Sequence, residues 1–88
     1  MNIPKNTTAI IISQTNWLLP KKDLITGEEI FDRNQDLVFS DEKDLEHEYS
    51  ISFIKSGGKP TEQYFLSKKD VDILLFEGIN NKIFYKFI

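Results

Sequence analysis

The chain contains no cysteine. This absence excludes disulfide bonds, and it excludes catalysis by a thiolate nucleophile. Small secreted domains usually depend on disulfides for stability, so the absence favours a reducing compartment, and we expect the protein to be cytoplasmic. Residues 1–8 also lack the apolar stretch of a secretory signal peptide, which agrees with that expectation.

Long apolar runs are absent as well. The run Ala9–Ile12 has four residues, whereas a membrane-spanning helix needs about 20. We therefore expect no membrane partner. The hydrophobic content of 40% and the formal net charge of −3 fit a chain with one compact core and differ from the composition of disordered proteins. A length of 88 residues indicates a single domain, residues 1–88.

Catalytic and ligand-binding motifs are also missing. The glycines of Ser56–Lys59 precede Pro60 and a strand pattern, whereas a phosphate-binding loop has widely spaced glycines and opens a helix. The single histidine, His47, would point away from Glu46 and Glu48 if this segment is extended, which disfavours a local metal site. The acidic residues lack the spacing of a calcium loop. We expect a non-enzymatic protein without catalytic residues, metal site or cofactor.

The second half of the chain has clear strand periodicity. Tyr49, Ile51 and Phe53 alternate with other residues, as in a β-strand with one buried face. The segment Ser56–Pro60 contains two glycines and a proline, which is typical of a tight turn. Residues 61–66 then resemble a returning strand, so residues 49–66 are predicted to form a β-hairpin.

A short helix and a last strand are predicted next. Ser67 fits an N-cap, because an acidic residue follows three positions later. Val71, Leu74 and Leu75 share one helical face, and Gly78 suits the position after a helix end. The pattern therefore predicts a helix over about 68–77. Residues 82–88 are predicted to form a strand inside the sheet, with Ile83, Tyr85 and Phe87 against the helix.

The first half allows two interpretations. The β-branched run within residues 8–13 favours a strand buried on both faces, but a helix over residues 7–19, ended by Pro20, is the alternative. Residues 24–31 are predicted to form a tight hairpin around Gly27, and residues 37–39 a short strand. Ser40 is expected to cap a helical turn over residues 41–43.

These elements predict an α+β fold. We expect a small antiparallel sheet of four to six strands with one short helix, at about 68–77, packed on one face.

Charge is distributed unevenly along the chain. Residues 23–48 hold ten acidic and two basic side chains, a net charge of −8, and the other residues have a net charge of +5. Such asymmetry steers a protein toward a partner of opposite charge, although an acidic region also serves solubility alone. The candidate partner-binding residues are Glu28, Glu29, Asp32, Asp36, Asp41, Glu42, Asp44, Glu46 and Glu48.

These features favour a protein-binding module whose partner has a basic surface. The specific hypothesis is a small inhibitor, of the kind that mobile elements encode, that occupies a nucleic-acid-binding surface of an enzyme, because carboxylates spaced along an extended or helical segment can take the place of phosphates. One alternative is a nucleic-acid-binding module that uses lysines and aromatics of the C-terminal half. Another is a structural subunit of an oligomer. Because the chain is acidic overall, we expect no direct binding to nucleic acid. Trp17 is a further candidate anchor for a partner.

Overall fold

A computed structural model describes all residues, Met1–Ile88. The helices are a 3₁₀-helix, Leu45–His47, and an α-helix, α1, Lys68–Asn80. The strands are β1 Thr7–Gln14, β2 Leu18–Pro20, β3 Phe39–Lys43, β4 Tyr49–Lys55, β5 Tyr64–Leu66 and β6 Phe84–Phe87. The predicted α+β fold class is confirmed. Neither helix is long and apolar enough to cross a membrane.

The main sheet has four strands in the order β5-β4-β1-β6. Strand β4 pairs antiparallel with both β1 and β5, but β6 runs parallel to β1, from Ala9 opposite Phe84 to Ile12 opposite Phe87. The sheet is therefore mixed and not antiparallel throughout. The reason is the position of α1, which connects β5 at one edge of the sheet to β6 at the opposite edge. After this connection β6 runs in the same direction as β1.

Strand β1 lies in the middle of the sheet, so the helical alternative for residues 7–19 is wrong. Its Ile10 and Ile12 side chains are fully buried beneath α1, whereas Ala9 and Ile11, on the other face, are only half-buried. The prediction of burial on both faces therefore holds for one face only. A single helix covers one face of a sheet and leaves the other without a packing layer.

The predicted hairpin at residues 49–66 is confirmed. Tyr49 of β4 lies opposite Leu66 of β5, and Ile51 lies opposite Tyr64. Gly57 and Gly58 both have positive φ angles, of 96° and 81°, which side chains with a Cβ disfavour. Glycine is thus required at this turn for conformational reasons.

The hydrophobic core lies between α1 and one face of the sheet. It consists of two residues from each of β1, β4 and α1: Ile10, Ile12, Ile51, Phe53, Val71 and Leu74. Tyr49, Tyr64, Leu66, Leu75 and Ile83 pack around these six residues and are partly buried. The predicted packing of Val71, Leu74 and Leu75 onto the sheet is therefore confirmed.

The helix begins where the sequence predicts and ends three residues later. The Ser67 hydroxyl accepts a hydrogen bond from the Asp70 N–H at 3.3 Å, as an N-cap does. At the other end, the Asn81 side chain donates to the Glu77 carbonyl at 2.8 Å, and Lys82 takes a positive φ of 58°. Asn81 and Lys82 thus provide the helix termination that was expected of Gly78.

Gly78 instead allows close contact between α1 and the sheet. It is buried inside the helix, and a Cβ atom at this position would lie 3.2 Å from Cδ1 of Ile10. Because real Cβ atoms rarely approach another atom so closely, the missing side chain lets the helix lie directly on β1.

Strand β6 is confirmed, but as an edge strand of the sheet. Ile83 packs against the core, whereas Tyr85 and Phe87 remain about half exposed on the side of the sheet that α1 covers. The prediction that both aromatic side chains lie against α1 is therefore wrong. The fully buried side chains that α1 packs against come from β1 and β4, and none comes from β6.

Replacement of Ser67 by alanine should destabilise the fold by about 0.5–2 kcal/mol, because the Asp70 N–H loses its partner. Urea denaturation of both proteins measures this difference. Ser67→Asp is the control, since its carboxylate also accepts that bond and favours the positive end of the helix dipole. Equal denaturation midpoints for Ser67→Ala and the unmodified protein would contradict this function of Ser67.

Replacement of Gly78 by valine should destabilise the fold by about 1–3 kcal/mol, because the added side chain overlaps Ile10. Asn80→Val is the matched control, since residue 80 is an exposed helix position and the expected change there is within about 0.5 kcal/mol. Chemical denaturation of both variants provides the comparison. If the two valines have the same effect, Gly78 does not set the distance between helix and sheet.

Candidate partner-binding site

Residues 16–44, between β1 and the segment that leads into β4, form an arm that extends away from the helix and main sheet. The molecule measures 49 × 24 × 19 Å and has a radius of gyration of 16.8 Å. A compact chain of this length has a radius of gyration of about 12 Å. The difference reflects the arm, none of whose side chains is fully buried. We call residues 16–44 the arm.

The arm is a narrow antiparallel ribbon. Strands β2 and β3 pair near its base, with Leu18 opposite Lys43 and Pro20 opposite Phe39. The Ser40 hydroxyl donates to the Leu19 carbonyl at 2.9 Å, across the two strands. The prediction of a helical turn capped by Ser40 is therefore wrong. Residues 39–43 are a strand because β2 provides the backbone partners that a helix would otherwise supply internally.

The predicted hairpin around Gly27 forms the first turn of the arm. Lys22 and Glu29 form an antiparallel bridge before the turn. The Asp23 carboxylate accepts hydrogen bonds from the N–H groups of Ile25, at 2.8 Å, and Thr26, at 3.0 Å. These backbone hydrogen bonds, with that from Thr26 the larger contribution, hold the pKa of the Asp23 carboxyl below its ordinary value.

A second turn has the same chemistry. The Asp32 carboxylate accepts hydrogen bonds from the N–H groups of Asn34, at 2.8 Å, and Asp36, at 3.0 Å. Gln35 adopts a positive φ of 67° in this turn, and Phe31 and Leu37 form a bridge beside it. Asp32 was expected to contact a partner, but its carboxylate already serves the turn.

The other candidate acidic residues are distributed along the arm and its base. Glu28, Glu29, Asp36, Asp41 and Glu42 are exposed on the arm. Asp44, Glu46 and Glu48 lie at the base, where the chain enters β4, and Asp44 and Glu48 are half-buried. The Asp44 carboxylate lies 3.0 Å from Nδ1 of His47. Because residues 45–47 form a 3₁₀-helix, His47 turns toward Asp44 and not outward from an extended strand.

The fold brings together acidic residues that are distant in the sequence. Glu29 and Glu42 both line a shallow groove of about 640 Å³, and Lys21 and Lys22 line it with them. Glu42 and Glu46 line a second groove of about 590 Å³, together with Lys43 and Asp44. Leu19 lines both grooves, so the two are neighbours on one side of the arm. We call Glu29, Glu42 and Glu46, together with Leu19, the acidic stripe.

Large apolar side chains are exposed on the same arm. Leu24 and Ile25 at the first turn are almost completely exposed, and Phe31 and Phe39 are more than half exposed. These residues were not among the expected binding residues. The signal in the sequence is the occurrence of large apolar residues in a turn-rich, acidic segment, because such residues usually lie in a core.

Trp17 joins the arm to the main sheet. Its ring centroid lies 4.5 Å from that of Phe65 in β5, and the side chain is 45% exposed. It also lines a groove of about 530 Å³ with Leu18, Pro20, Phe39 and Asp44. Trp17 therefore has a structural contact with the sheet and an apolar surface that is open to a partner.

The lysine and aromatic residues of the C-terminal half do not form one continuous surface. In β6, Phe84 and Lys86 share the face of Ala9 and Ile11, whereas Tyr85 and Phe87 share the opposite face with the core isoleucines. This division results from the alternation of side chains along a strand. No group of three or more His, Cys, Asp or Glu side chains is placed to hold a metal ion.

Comparisons with protein-family models, with curated proteins and with solved structures each give no match for this chain.

The lowered pKa of Asp23 makes the first turn sensitive to acid. Because the folded-state pKa lies below the unfolded value of about 3.9, Asp23 stabilises the turn at higher pH. That contribution should disappear as the pH falls through the folded-state pKa. An NMR titration of the Asp23 carboxyl carbon should give a midpoint below that of the same residue in urea. A folded-state midpoint at or above the urea value would contradict this assignment.

Proposed function

We propose that this protein is a cytoplasmic, non-enzymatic protein-binding module whose arm binds a basic surface of another protein. The observation that carries the proposal is the acidic stripe. Three carboxylates and a leucine from separate parts of the sequence line two adjoining grooves on the arm and at its base, where Lys21, Lys22 and Lys43 also line them.

The carboxylates of the stripe have no ion-pair partner within the chain. The only contact within 4 Å between an acidic side chain and a nitrogen of a basic one joins Asp44 and His47. Glu29, Glu42 and Glu46 therefore interact with a basic partner without first breaking an internal bridge. Exposed carboxylates of this kind raise the association rate and select partners by charge.

The exposed apolar residues supply the other part of the binding energy. Burial of an aliphatic or aromatic side chain against a partner contributes more affinity than an exposed ion pair does. Leu19 lies within the acidic stripe, and Leu24 lines the same groove as Glu29. The arm thus combines apolar contacts with surrounding charge, which is the usual composition of a protein interface.

The chemistry of the arm supports a specific class of partner. The arm, residues 16–44, holds eight acidic and four basic side chains, a net charge of −4, and its acidic side chains lie along an extended ribbon. Duplex nucleic acid also presents closely spaced negative charge. The arm would therefore occupy the nucleic-acid-binding surface of an enzyme, and the protein would inhibit that enzyme by competition.

The test compares two variants of equal charge. The stripe variant carries Glu29→Gln, Glu42→Gln and Glu46→Gln, and the control carries Glu62→Gln, Asp72→Asn and Glu77→Gln, which lie outside the arm. Affinity purification from host lysate, followed by mass spectrometry, identifies proteins retained by the unmodified chain. We expect the stripe variant to lose at least tenfold in affinity for the partner and the control to bind normally. Binding should also weaken as the salt concentration rises.

Two outcomes would contradict the proposal. One is a partner whose affinity is the same for the stripe variant, the control and the unmodified protein at all salt concentrations. The other is direct binding of DNA or RNA by the purified chain in a mobility-shift assay, lost in Lys82→Glu/Lys86→Glu. That result would favour the nucleic-acid-binding alternative, whereas we expect no shift from an acidic protein.

A further inference from the structure

Strand β6 forms an open edge of the main sheet. It pairs with β1 on one side and has no strand on the other. The Ile88 N–H donates to the Ile12 carbonyl at 2.8 Å. Successive residues of a strand direct their backbone groups to alternate sides. The N–H and C=O groups of Phe84 and Lys86 therefore point toward β1, as the N–H of Ile88 does. The N–H and C=O groups of Tyr85 and Phe87 consequently face the open edge.

The side chains at this edge are apolar and exposed. Phe84 is 79% exposed, Tyr85 48% and Phe87 54%. The edge has little of the usual protection against pairing with another strand, because β6 contains no proline, no acidic residue and no bulge. Lys86 is its one charged residue. An edge with these properties is suited to accept a further strand.

We propose that β6 pairs with β6 of a second copy of this chain, antiparallel and about a two-fold axis at Tyr85. The four-stranded sheets of two chains would then form one continuous sheet of eight strands. In this register Tyr85 faces Tyr85 of the second copy, and Phe84 faces its Lys86. A two-fold axis makes one surface serve both partners, so each favourable contact away from the axis occurs twice.

The side chains favour a second copy and this register. The two Tyr85 residues exchange backbone hydrogen bonds, since their polar groups face the open edge. The Phe84 ring lies opposite an ammonium group, which gives a cation–π contact. Ile83 lies opposite Phe87, an apolar pair. The register with its axis at Lys86 is unfavourable, because two lysines would lie opposite each other at about 5 Å.

The available area fits a reversible dimer. A buried aromatic side chain covers about 150–250 Å², so the exposed parts of Phe84, Tyr85 and Phe87 offer on the order of 100 Å² each. Two copies contribute six such side chains, with Ile83 and Ile88 beside them. Complete burial of these side chains would approach the lower limit for specific interfaces, about 1,000 Å², and edge pairing buries only part of them. Dimerisation should therefore depend on protein concentration.

The first experiment measures mass against concentration. We expect sedimentation equilibrium of the unmodified chain to show a monomer–dimer equilibrium between about 1 µM and 1 mM. Tyr85→Pro removes an N–H that faces the open edge and leaves the hydrogen bonds to β1 intact. Edge strands tolerate a proline at such a position. This variant should remain monomeric and keep a cooperative thermal transition. A monomer at every concentration of the unmodified chain, or a folded Tyr85→Pro that still dimerises, would overturn the proposal.

The register is tested by cross-linking, which is simple because the chain has no cysteine. A mixture of Phe84→Cys and Lys86→Cys chains should form the mixed disulfide under mild oxidation, because paired Cα atoms lie about 4.5 Å apart. Lys86→Cys chains alone should form at least tenfold less disulfide, since the Cα atoms of residue 86 in the two copies would be about 8 Å apart. Preferential Lys86–Lys86 cross-linking would refute the register even if Tyr85→Pro fails to fold.

The two proposals fail independently. The acidic stripe variant should dimerise as the unmodified chain does, because Glu29, Glu42 and Glu46 lie on the arm and at its base, and none of them is in β6.

Discussion

The close contact of α1 with β1 at Gly78 is the constraint on which the rest of this structure depends. The missing Cβ lets the helix lie on Ile10, and the resulting core is a single layer of six fully buried side chains. One helix of thirteen residues covers a single face of the sheet, and the core that it forms there includes side chains of β1 and β4 but none of β6. The β6 edge, the opposite sheet face and the arm therefore remain outside the core. The exposed surfaces of the protein are thus the parts that the single helix does not cover.

The arm is held by backbone hydrogen bonds and not by a core of its own. An isolated two-stranded ribbon is only marginally stable in water. Here the two turns are fixed by the Asp23 and Asp32 carboxylates, each of which accepts two backbone N–H bonds. At the base, Trp17 packs on Phe65 of the main sheet. Acidic residues in the arm thus fall into two groups. Asp23 and Asp32 maintain the conformation of the turns, and others, such as Glu29 and Glu42, are exposed.

The two proposed interactions use different parts of the molecule and different physical forces. The acidic stripe would provide charge complementarity to a basic partner, with apolar residues beside it. The β6 edge would provide backbone hydrogen bonds and aromatic contacts to a second copy. A two-fold axis at Tyr85 would give one assembly two arms, so a partner with two basic sites would be bound by both arms at once, with a gain in avidity.

Local patterns in the sequence determined the elements whose stabilising contacts are themselves local. The Ser67 cap, the glycines at residues 57–58 and the hairpin around Gly27 depend on neighbouring residues, and each was predicted correctly. Strand β1 is rich in β-branched residues, which prefer strands. That preference favoured the correct interpretation over the helical one, whereas periodicity alone did not distinguish them. Only the tertiary structure decided the parallel pairing of β6, the function of Gly78 and the pairing of β3 with β2. It also placed Glu29 beside Glu42, thirteen positions later in the chain. These features depend on contacts between distant residues, and local periodicity contains no information about which strands become neighbours.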